Sequence, residues 1–104
     1  MSLINFEEEI EVFDLERALR SVGKECFVDY FYDFQNCLNQ AELAQKLLDN
    51  NRNATSENAQ ATRVSKARRI FENQMEKEAL DNIIASKRVN ETVKAKARII
   101  RDKL

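Results

Sequence analysis

Histidine, proline and tryptophan are absent from this 104-residue chain, and glycine occurs once, at Gly23. Without histidine the commonest general base and the commonest neutral metal ligand are missing. The glutamate-x-x-histidine pairs of di-iron bundles cannot be built either. A single glycine excludes a glycine-rich phosphate loop. Hairpin turns rely on glycine and proline, so their scarcity argues against β-structure. No run approaches the roughly 20 apolar residues that cross a bilayer. The opening residues Met1 to Phe6 run into acids and lack the basic and apolar regions of a signal peptide, so a cytoplasmic location is expected.

Cysteine is scarce as well. Cys26 and Cys37 are the two present, about 16 Å apart if they share one helix and so beyond disulfide reach. Two thiols do not make a four-ligand zinc site. Reduced core thiols are the expected state, with a cross-chain contact in a dimer as the alternative. The acidic run Glu7, Glu8, Glu9 and Glu11 is scattered around its helix and reads as a solvated face. No catalytic, metal or cofactor-binding constellation emerges, and the chain reads as non-enzymatic.

What remains is rich in Ala, Leu, Glu, Lys, Arg and Gln, with 43% apolar and 34% charged residues. That composition favours helices joined by Asn- and Ser-containing loops. The expected fold is all-α, one domain over residues 1–104, built as a small bundle of three long helices plus a shorter C-terminal helix.

The organising stretch is Cys26 to Leu48. Read by sevens, Phe27, Phe34, Ala41 and Leu48 share one position, and Tyr30, Cys37 and Ala44 share the complementary one, with Phe31 and Leu38 beside them. Five of the eight aromatics lie between Phe27 and Phe34. This spacing predicts one continuous helix from Lys24 to Asp49, about 39 Å long at the standard rise. Such a rod is hard to cover in a short chain. A homodimer is therefore expected, with Phe27, Tyr30, Phe31, Phe34 and Leu38 as the self-association face; a monomer with the stripe fully internal is the alternative.

Upstream, Asn5 followed by glutamates predicts a helix start, with Val12, Leu15, Leu19 and Val22 as its stripe and Glu16 paired with Arg20. A helix beginning at Asp14 is the alternative. Gly23 ends it, and the short connection predicts that it folds back against the aromatic helix. Residues 50–56 read as a loop, with Thr55 or Ser56 capping a third helix that carries Val64, Ala67, Phe71, Met75 and Ala79. Beyond Ala79 the apolar set rotates to Leu80, Ile83 and Ile84, which predicts a bend or a change of packing partner. Ser86 to Asn90 is the last break, and Asn90 caps a final helix with Val93, Ala97, Ile100 and Leu104 on its stripe.

Charge is divided unevenly. Residues 1–50 hold eleven acids against four bases, net −7, and residues 51–104 hold seven acids against thirteen bases, net +6. Lys87, Arg88, Lys94, Arg98 and Arg101 form a candidate nucleic-acid or acidic-partner face on and before the final helix. Arg63, Lys66, Arg68 and Arg69 add to the third. Leu80 to Leu104 outlines a helix-turn-helix, although its turn lacks the usual glycine and no exposed Asn or Gln stands ready to read bases. Against this, bases with acids four residues on (Arg68 with Glu72, Lys77 with Asp81, Arg98 with Asp102) fit solvated surfaces, and the two halves can neutralise each other. A membrane-surface role for the last helix is handicapped by the lack of Trp. The expected function is a small helical interaction or regulatory protein, an adaptor or inhibitor acting on a protein partner and on itself; a nucleic-acid-binding regulator using residues 63–103 is the alternative.

Overall fold

A computed structural model describes residues 13–50 and 56–104. Among them the chain is all-helical, with seven helices and no strand. They are α1 (Leu15–Val22), α2 (Lys24–Asp29), α3 (Phe31–Gln35), α4 (Gln40–Asn50), α5 (Glu57–Glu72), α6 (Glu76–Ala85) and α7 (Glu91–Asp102). The three-long-helix outline is thus corrected to shorter pieces, of which the 16-residue α5 is the longest.

Side-chain caps set several boundaries. Asp14 accepts a hydrogen bond from the Arg17 amide and starts α1, so the helix is entered at Asp14 and not carried through from Asn5. The expected Asn5 cap and acidic first turn lie outside the described residues. Ser56 accepts from the Ala59 amide to start α5, and Asn90 accepts from the Val93 amide to start α7. Of the loop expected over 50–56, Asn50 belongs to α4 and residues 51–55 are outside the described residues.

Gly23 stands at φ +88°, ψ 126°, a region that only glycine enters without strain. Its amide closes α1 on the Leu19 carbonyl at 2.8 Å, and its own carbonyl accepts the first amide bond of α2 from Phe27 at 2.9 Å. One residue ends a helix and begins the next, so the chain turns without a loop.

The expected rod from Lys24 to Asp49 is broken twice. The first break is the turn at Tyr30. The second is the stretch 36–39, where two asparagines divert backbone groups from the helical ladder. Asn36 Nδ2 donates to the Tyr32 carbonyl at 3.0 Å, and Asn39 Oδ1 accepts from the Glu42 amide at 3.1 Å. The seven-residue frame runs across this break only by coincidence. After it, Leu43, Ala44 and Leu47 are buried while Ala41 is exposed and Leu48 half-buried, and Leu38 stands fully in solvent.

The bend expected beyond Ala79 lies earlier, as a break at 73–75 that sets Ala79 inside α6. The Met75 amide donates to the Ile70 carbonyl at 2.9 Å and the Gln74 amide to the Phe71 carbonyl at 2.9 Å. Gln74 itself sits at φ +57°. These are the paired bonds of a Schellman ending, here with glutamine where glycine is usual. Met75, packed against the core, makes the apolar contact that accompanies it.

The buried residues form one cluster. α5 packs broadly on α1 and α4 and touches α3, while α6 and α7 pack on each other and α7 reaches α2. The principal partner of α1 is therefore α5, not the aromatic segment. Phe27, Phe31 and Phe34 are wholly buried. Phe71 of α5 closes their cluster, with ring centroids 5.7 Å from Phe27 and 5.1 Å from Phe31, the latter pair edge to face.

The Arg68 guanidinium spans the gap between α5 and α3. Its Nη1 donates to the carbonyls of Phe34 at 2.7 Å and Gln35 at 3.1 Å, supplying partners to groups that a helix end leaves unpaired. Arg68 does not pair with Glu72, and the other expected local pairs are likewise replaced. Arg101 binds Asp81 at 2.8 Å, Arg98 approaches Glu91, and Glu16 accepts from Asn82 Nδ2.

Two substitutions test this packing. Replacing Phe31 or Phe34 by Ala lowers unfolding free energy by roughly 3–5 kcal/mol in urea titration. Gln74→Gly raises it by about 1 kcal/mol, because a side chain is relieved of the left-handed conformation; a loss of stability there would mean that the glutamine side chain itself holds the elbow.

Candidate interaction surfaces

Three of the five residues expected to form a self-association face are enclosed within a single chain. Phe27, Phe31 and Phe34 are inaccessible, Tyr30 is half-buried, and Leu38 alone is fully exposed. The physical reason is the pair of helix breaks. They let the aromatic segment bend around Phe71, so the rings are covered by α5 without a second chain.

The cationic face of the last helix is largely engaged. Lys94 and Arg98 both approach Glu91, at 3.8 and 3.9 Å, Arg101 binds Asp81, and Lys96 binds Asp29 of α2 at 3.1 Å. Only Lys96 among these bonds an acid of the first half; the others are neutralised by their own neighbourhood. Lys87 and Arg88, in the turn, are exposed and form no ion pair among the described residues. The first turn of α7 carries Glu91, so a negative charge stands where a recognition helix brings its base-contacting residues. Exposed pairs of this kind contribute at most about 1 kcal/mol each.

A second cationic region lies in the groove between α1 and α5. Arg17, Lys66 and Arg69 line a hollow of 370 Å³ together with Phe13, Ala18 and Ser21, and Asp14 is the only acid lining it among the described residues. The Arg69 guanidinium lies 5.8 Å from the centre of the Phe13 ring, within cation–π range. The side chains of Arg17 and Lys66 form no hydrogen bond or ion pair among the described residues. The sequence reading placed Lys66 and Arg69 on the third helix but gave no role to Arg17. Its signal was the four-residue spacing of Arg17 and Ser21 on one side of α1.

A third feature is the α3–α4 loop. Leu38 and half-buried Cys37 border an open hollow of 380 Å³ that also takes in Leu43, Asp33, Glu42 and Lys46. Lys46 Nζ lies 3.1 Å from Asp33 Oδ1. Tyr32, 48% exposed, stands one turn before Asn36.

Both cysteines are free. Burial pushes the Cys26 thiol up from the ordinary 9.0 to about 11, outweighing the opposing charge of Arg63 beside it. The Arg63 Nη1 donates to buried Gln60 at 3.1 Å. No group of three metal-ligating side chains lies together among the described residues, and none of their helices is long and apolar enough to cross a membrane. No protein-family model, curated protein or solved structure matches the chain.

The Cys26 environment fixes a pH dependence. Between pH 9 and about 11 the unfolded chain loses the residue 26 proton while the folded chain keeps it, so stability falls as pH rises through that window. Cys26→Ser removes this part of the slope in urea titrations across the window. An unchanged slope would show that the thiol ionises equally in both states.

Proposed function

We propose that the chain is a small, non-enzymatic cytoplasmic interaction protein that takes an acidic protein segment into the α1–α5 groove. The supporting observation is the placing of unpaired positive charge. Among the described residues Arg17 and Lys66 line a hollow with a single opposing carboxylate, whereas the cations of the final helix are matched by Asp29, Asp81 and Glu91. Field lines from such a groove favour an anionic partner and speed its approach. The Phe13 ring and Ala18 supply the apolar floor that a peptide covers more fully than a small anion does.

The nucleic-acid reading keeps one observation in its favour, the exposed and unpaired Lys87 and Arg88 ahead of α7. Acidic Glu91 at the head of that helix weighs against it.

Fluorescence anisotropy separates the two. A labelled glutamate-rich peptide should bind at low salt, and the double charge reversal Arg17→Glu with Lys66→Glu should abolish the signal while circular dichroism stays unchanged. Duplex DNA and single-stranded RNA should give no shift. Binding to either that weakens about tenfold or more between low and physiological salt, and that Lys87→Glu with Arg88→Glu removes, would replace the proposal. Arg101 is unsuitable for this test because its reversal would set two acids against each other at Asp81.

A further inference from the structure

The α3–α4 loop has a physical oddity. Leu38 is the most exposed large apolar side chain among the described residues, yet it projects from a segment tied down on both sides. Asn36 closes α3, Asn39 opens α4, and Arg68 holds the carbonyls of Phe34 and Gln35. With its neighbours fixed in this way, Leu38 stands clear of the core. The arrangement also means that little ordering entropy is lost when a surface closes over it.

We propose that this loop is a two-fold self-association surface in which Leu38 of one protomer enters the hollow bounded by Cys37 and Leu43 on its partner. A two-fold interface has to be complementary to itself, because the same patch supplies both sides. This patch carries what that demands. It has an apolar knob, Leu38, and beside it an open hollow of 380 Å³. Its rim carries both signs of charge. Glu42 and Lys46 lie one turn apart on the same face of α4, and the Glu42 carboxylate has no partner among the described residues. A two-fold axis across α4 sets Lys46 of each protomer, already held 3.1 Å from its own Asp33, against Glu42 of the partner subunit, so that one cation bridges two carboxylates and each contact is made twice. A partner of one charge would instead leave Lys46 or the acids Asp33 and Glu42 facing their own sign. The surface shares no lining residue with the α1–α5 groove. It stands or falls independently of the acidic-partner reading.

Sedimentation velocity over a series from low to high micromolar chain tests it. The expected result is a monomer–dimer equilibrium that Leu38→Glu weakens roughly tenfold or more, the equivalent of one buried leucine, with helicity unchanged because Leu38 touches no core residue. Charge supplies a second readout. A Glu42→Lys chain, which leaves the Lys46–Asp33 pair of its own protomer intact, should fail to pair with itself, because it sets two cations against each other across the axis. A chain that remains monomeric across the series overturns the proposal. So does a dimer indifferent to Leu38→Glu, which would use another face.

Discussion

The need to dry four phenylalanine rings at once governs this structure. Phe27, Phe31 and Phe34 come from two short helices and Phe71 from a third, and the first three leave no surface to water. In a chain of this size a large share of the surface stays wet, so ring area is a major part of what burial can supply. One straight helix would spread the rings along a rod. The turn at Tyr30 gathers them around Phe71, and the Arg68 guanidinium then covers the carbonyls exposed where α3 stops. The breaks and the cluster require each other.

Charge follows from the same packing. Once the aromatic segment is folded against α5, Asp29 comes within reach of Lys96 and Asn82 within reach of Glu16, linking the C-terminal pair of helices to the earlier elements. Although α5 of the basic half packs broadly on α1 and α4 of the acidic half, ion pairs across that divide are few among the described residues. Most bases of the final helix are answered locally, by Glu91 and Asp81. Arg17 and Lys66 are left to a groove that no run of basic residues in the sequence marks out.

Local chemistry was legible in the sequence wherever a side chain alone decides the backbone. Ser56, Gly23 and Asn90 punctuate the chain where composition places them, and the burial of Phe27, Phe31 and Phe34 follows from their ring area. Besides the turn at Tyr30, two boundaries were hidden for different reasons. At 36–39 a seven-residue apolar spacing continues through the break, and the asparagines that end α3 and begin α4 look like ordinary polar residues in a helix. At 73–75 the ending is made by backbone bonds around Gln74, without the glycine that would announce it. Ion pairs four residues apart were poorly legible because longer-range partners compete for the same groups. Arg68 prefers helix-end carbonyls that are 33 and 34 residues away. The cationic groove is a tertiary product, made when Arg17 of α1 is brought beside Lys66 of α5.

The elbow at Gln74 also divides the packing. α6 and α7 pack mainly on each other, and they meet the rest through the elbow, the α2–α7 contact and a few polar links. A pair held by so few contacts is expected to open as a unit below the free energy of global unfolding. Amides of Leu80 and Ile83 should then exchange with solvent hydrogen sooner than those of Val64 and Ala67, although all four residues are equally buried at rest. Depth of burial and persistence of burial are different quantities in this fold, and a single left-handed glutamine separates them.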